Sequence, residues 1–135
     1  MDLKTIEKLT SEKFWQSKSK LNRTKIQRVF DNYSKKIDNS TFSSSFLNGK
    51  FVSINFYIKD EVLDSYMEFK FRFSPLNPRE SLNFSTEVDS LPEIRILYKD
   101  TNYRSYETYS KALKRDINNK IKELNLMLAQ LEKML

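Results

Sequence analysis

The chain has 135 residues, 39% hydrophobic and 13% aromatic, with a formal net charge of +6. That is the length of one domain, long enough to bury roughly two thirds of the unfolded surface in a single core, and too apolar for disorder. It contains no Cys, no His and one Gly, which excludes disulfides, thiolate and imidazole metal sites, cysteine nucleophiles, His general bases and glycine-rich phosphate loops.

Leu3, Ile6 and Leu9 predict a short N-terminal helix. The opening MDLKTIEKLTSEKF has no apolar core of a secretory signal. The longest purely apolar run, Leu126 to Ala129, is too short to span a bilayer. A cytoplasmic protein without a membrane partner is therefore expected.

The basic stretch KFWQSKSKLNRTKIQR follows, Lys13 to Arg28. Residues 13–36 carry eight positive charges against Asp31 alone. A concentrated patch steers an anionic partner better than scattered charge does. Phosphate contact by Lys13, Lys18, Lys20, Arg23, Lys25 and Arg28, with Phe14 or Trp15 stacking on a base, is one reading. The other is a solvated helix face, the commoner fate of such charge runs. Thr24 and Gln27 fit a capping box. Ile26, Val29, Phe30, Tyr33 and Ile37 then recur at helical spacing, which predicts a helix to about Ile37.

Asn48-Gly49, holding the only Gly, lies between two β-like runs and predicts a two-residue hairpin. That loop would pair Phe46 with Phe51, Ser44 with Ser53 and Phe42 with Asn55. Val52, Ile54, Phe56 and Ile58 alternate with Phe51, Ser53, Asn55 and Tyr57. After a turn near Asp60, Leu63, Met67, Phe69, Phe71 and Phe73 alternate with Asp64, Tyr66, Glu68, Lys70 and Arg72, the pattern of a half-buried strand. Leu82, Phe84, Thr86 and Val88 predict a fourth strand, and Glu93 to Lys99 a fifth. Short turns between successive strands imply an antiparallel meander.

The outer face of that sheet gathers Phe42, Phe46, Phe51, Tyr57 and Tyr66 with Lys70, Arg72, Arg95 and Lys99. Phe51, Tyr57, Tyr66, Lys70, Arg72 and Arg95 are the residues expected to meet a partner, since aromatics and Arg are enriched at interfaces. Glu68-Phe69-Lys70 has the acid and lysine spacing of some Mg²⁺-dependent nucleases, with Asp60 or Asp64 as the upstream carboxylate. Such a triplet is common by chance, and cross-strand charge pairing explains it better.

From Ser105 onward a single long helix is expected. Tyr106, Tyr109, Leu113, Ile117, Ile121, Leu124, Leu128, Leu131 and Leu135 form one stripe, in heptad spacing from Ile117. A helix of ~30 residues is ~45 Å long and overhangs a sheet only ~20–25 Å wide. Its apolar end needs cover, from the N-terminal helix or from a second copy. Leu124, Met127, Leu128, Leu131 and Leu135 are the expected self-association residues of a homodimer.

The expected fold class is thus α+β in a single domain over 1–135: a basic helical segment (1–38), an antiparallel meander of four to five strands (41–99) and a long amphipathic C-terminal helix (105–135). The expected function is a non-enzymatic interaction module that uses no cofactor and binds a macromolecular partner, a protein first, through the basic helix and the aromatic sheet face. The 17 Lys against 7 Arg, with plentiful Asn, Ile, Phe and Tyr, fit an AT-rich genome and an accessory or inhibitor protein of bacterial or phage type, acting on nucleic-acid-handling machinery. Direct DNA or RNA binding through residues 13–36 is the alternative.

Overall fold

The computed structural model describes residues 2–18, 20–33, 40–47, 50–73, 86–88 and 91–135. The chain is α+β. Three N-terminal helices, α1 (Leu3–Leu9), α2 (Glu12–Gln16) and α3 (Arg23–Tyr33), precede five strands, β1 (Ser40–Leu47), β2 (Lys50–Asp60), β3 (Ser65–Arg72), β4 (Glu93–Tyr98) and β5 (Thr101–Tyr103). A long helix, α4 (Tyr106–Met134), ends the chain. The strands lie in sequence order, and each neighbouring pair is antiparallel.

Local chemistry sets the helix starts. The Asp2 carboxylate accepts the Thr5 N–H at 2.8 Å and caps α1. Asn22 does the same for α3, accepting the Lys25 N–H at 2.9 Å. The cap therefore lies two residues before Thr24, where the sequence pattern suggested it. An asparagine acceptor outranks threonine at this position. The expected extension to Ile37 lies outside the described residues. Ser105 caps α4 through the Thr108 N–H.

α1, α2 and α3 cover one face of the sheet. Ile6, Leu9, Trp15, Ile26 and Phe30 meet Ile54, Phe56, Ile58, Met67, Phe69, Phe71 and Ile96 in one core. Alternation in β3 is as the sequence implies: Met67, Phe69 and Phe71 are buried, while Tyr66, Glu68 and Lys70 are half-buried and Arg72 is exposed. Full burial of a large apolar side chain stabilises by about 1.5–3 kcal/mol, so this layer holds the fold together.

Three details differ from the sequence pattern. Phe46 pairs with Phe51, but the next pairs are Ser45–Ser53 and Phe42–Phe56. Val52 is the extra residue of a β-bulge, which shifts β1 by one residue against β2. Asn48-Gly49 and residues 82–85 of the expected fourth strand lie outside the described residues. Glu87 forms an isolated bridge with Asn22, and the Val88 N–H donates to the Leu21 carbonyl at 2.8 Å. β4 pairs directly with β3, so no strand lies between them. Finally, β5 follows β4 through the two-residue loop Lys99-Asp100, with Lys99 at φ 52°.

Only the first three turns of α4 touch the body. Tyr109, Ser110, Ala112 and Leu113 are buried. The Tyr109 hydroxyl hydrogen-bonds that of Ser65, and the Tyr98 hydroxyl donates to Asp116 at 2.7 Å. From Ile117 to Leu135 every residue is exposed. The overhang expected from lengths is present, and the N-terminal helices pack on the sheet instead of on this end.

Candidate functional site

Three surfaces hold the residues singled out by sequence. The first is the basic helical face. Ser17, Lys18, Leu21, Lys25, Arg28, Val29 and Asn32 line a depression of about 370 Å³ between the end of α2 and α3. Lys25 and Arg28 project from one side of α3, three residues apart. Lys18 approaches from the turn after α2, its ammonium 5.1 Å from the Phe14 ring centre. Three cations thus share a wall with a hydroxyl, an amide and an apolar floor, and no carboxylate is among these residues. Such a cluster accepts an oxyanion by charge-assisted hydrogen bonds.

Arg28 also borders a second depression of about 380 Å³, with Arg23, Thr24, Gln27 and Asp31. Lys13 and Lys20 are exposed but line neither depression. Trp15 is not a stacking residue. It is 1% exposed, and its indole N–H donates to the Leu9 carbonyl at 2.6 Å. Its ring packs against Phe30 and Phe71 at 5.8 and 5.2 Å. The poor period between Ser11 and Leu21 hid this, because α1 and α2 are separate short helices that bend Trp15 inward. Phe14 is half-buried, with Lys8 and Lys18 on its ring.

The second surface is the outer sheet face. Tyr57 and Tyr66 stack at 5.7 Å. Partial burial first, then the neighbouring Tyr57 and Glu68, push the Tyr66 phenol above its ordinary range, while Arg95 pulls it back. Glu68 stands opposite Arg95, and Lys70 opposite Glu93. Glu93 also bonds Arg72 at 3.0 Å, and Arg95 donates to Asn102 at 3.2 Å. The positive charges here have acidic neighbours, as Arg23 and Arg28 have Asp31 in their depression, whereas no carboxylate lines the depression shared by Lys18, Lys25 and Arg28. Ser53 and Asn55, on the same face, are buried. Phe51 pairs with Phe46, and its side chain lies outside the described set. A depression of about 430 Å³ at the far end, missed by sequence reasoning, is lined by Lys59, Asp64, Ser65, Tyr66, Leu97 and Lys99.

The third surface is the projecting half of α4. Leu124, Met127, Leu128 and Leu131 are each 51–56% exposed, and Leu135 is fully exposed. Ile117, Ile121 and Met134 extend the same stripe. At its base, Asp116 accepts from Tyr98 and from Lys99, the latter at 3.2 Å. These two donors, Tyr98 first, hold the Asp116 carboxyl below its usual range.

No protein-family model matches the chain, and no curated protein or solved structure matches it either. No helix among the described residues is long and apolar enough to cross a membrane.

Proposed function

We propose that the chain is a non-enzymatic interaction module, a small accessory or inhibitor protein of bacterial or phage type acting in the cytoplasm. It self-associates through the projecting half of α4. Its body then offers the basic groove on α3 and the Tyr57–Tyr66 face to a macromolecular partner, a protein of nucleic-acid-handling machinery. The observation that carries this reading is the exposed apolar stripe from Ile117 to Leu135. Isolated apolar side chains on a surface need no explanation, whereas a contiguous stripe of this size marks an interaction site. Light scattering on the purified chain tests it: the native protein runs as a dimer, and one chain mass at all concentrations sinks the reading.

A second reading has its own observation. Lys18, Lys25 and Arg28 line one depression without a carboxylate, as direct DNA or RNA binding requires. It predicts oligonucleotide binding whose affinity falls by orders of magnitude with salt if ~6 phosphates are contacted. Fluorescence anisotropy with labelled duplex and single strands at two salt concentrations separates the two readings.

A further inference from the structure

We infer that two copies pair antiparallel along residues 117–135, with the two bodies at opposite ends of the helix pair. This rests on the self-association reading above and adds its geometry.

The argument starts from which side of α4 faces what. At 100° per residue, from 3.6 residues per turn, Tyr109, Ser110, Ala112 and Leu113 span an arc of about 160° that ends at Ser110, about 100° round from Tyr109, and these are the residues buried on the body. Measured the same way from Tyr109, Ile117, Leu124, Leu128, Leu131 and Leu135 lie on a stripe at about 40–100°, inside that arc, and Ile121 lies about 20° beyond its edge. A helix docked on the stripe therefore lies on the same side of α4 as its own sheet. In a parallel pair, residues 106–116 of the second helix would run beside residues 106–116 of the first. That space holds the body against which Tyr109 and Leu113 are packed. Parallel pairing is sterically blocked.

An antiparallel pair has no such conflict. Leu135 of one copy comes opposite Ile117 of the other, Leu131 opposite Ile121, and Leu128 opposite Leu124. Each helix tip stops where the other copy's body begins, so the whole exposed stripe is covered. The seam side chains of two copies would bury on the order of 1,200 Å², the lower bound of specific interfaces. Antiparallel helix dipoles attract. Residues 1–116 carry five of the six net positive charges, and ~28 Å of paired helix separates the two bodies by more than the ~8–10 Å Debye length. Like charge on the two bodies thus does not resist a second copy as occupant.

The absence of native cysteine allows single spin labels to be placed at Lys111→Cys, Leu126→Cys and Lys133→Cys, all exposed positions, with dimer mass checked for each variant. Antiparallel pairing gives axial offsets between like labels of about 45 Å at 111, none at 126 and about 21 Å at 133. The label distance is then shortest at 126 and longest at 111. A dimer with one common distance at all three sites overturns the antiparallel assignment and leaves self-association standing. A chain that stays monomeric and shows no intermolecular distance overturns both, and leaves the stripe to a different partner.

Discussion

Phe30 of α3 lies face to face with Phe56 of β2, ring centroids 3.8 Å apart and planes 9° apart. Both rings are buried, and this contact joins the basic helix to the sheet. The charged groove and the core are therefore two sides of one helix. Phe30→Ala should cost about 3–5 kcal/mol, as large aromatic deletions do. Urea unfolding checks this, with the midpoint moving and the slope unchanged. A loss under about 1 kcal/mol would mean that α3 is not anchored here.

Trp15 is the only tryptophan and reports on the other anchor. Its emission should be blue-shifted in the native state, resist iodide quenching and shift red on unfolding. Added oligonucleotide should leave it unchanged, since the ring is in the core. Trp15→Phe removes the donor to the Leu9 carbonyl and should destabilise by about 1–3 kcal/mol. Quenching of native Trp15 by iodide would contradict its burial.

How much of this was readable from residues alone depends on local signals. The alternation of Met67, Phe69 and Phe71 with Tyr66, Glu68 and Lys70 gave β3 directly, because one face is buried and the other is wet. The stripe of α4 gave its length and its overhang. The bulge at Val52 left no mark, since the apolar alternation of β2 continues unbroken through it. β5 was invisible for another reason: Lys99-Asp100 is not a preferred hairpin pair, and Lys99 takes the positive φ that glycine usually supplies. At the site, the spacing of Lys18, Lys25 and Arg28 pointed to one shared side of a helix. Lys18 does reach the same depression, but from the turn after α2 and not from α3 itself, and Trp15 was misplaced because no period spans two short helices.

The Asp116 clasp at the base of the projecting helix makes a pH prediction. The native carboxyl titrates below its ordinary range, held there by Tyr98 and Lys99. A depressed native value means stability present above the unfolded carboxylate range, near pH ~3.9, and lost as pH falls through the native value. Asp116→Asn should lower the melting temperature at neutral pH. The difference from the native chain should shrink as the pH drops below about 4. Equal melting temperatures at pH 7 would mean that this clasp contributes nothing.

Lys18→Glu with Lys25→Glu and Arg28→Glu separates groove from bulk charge. If the groove grips phosphates, the triple variant loses oligonucleotide affinity. Its salt slope on duplex should flatten by about 0.9 per lost contact. A control, Lys13→Glu with Lys20→Glu, alters charge outside the groove and should have the smaller effect. Equal effects from both sets would assign any binding to net charge and not to this depression.

Self-association through α4 is most directly tested by sedimentation equilibrium of the native chain beside Leu124→Asp with Leu131→Asp. Both residues are more than half exposed in one copy, so the aspartates should leave the body folded. The native chain should sediment at twice its chain mass at micromolar concentration, and the variant at one chain mass with unchanged circular dichroism of the body. A native chain at one chain mass throughout, or a variant that stays dimeric, would contradict it.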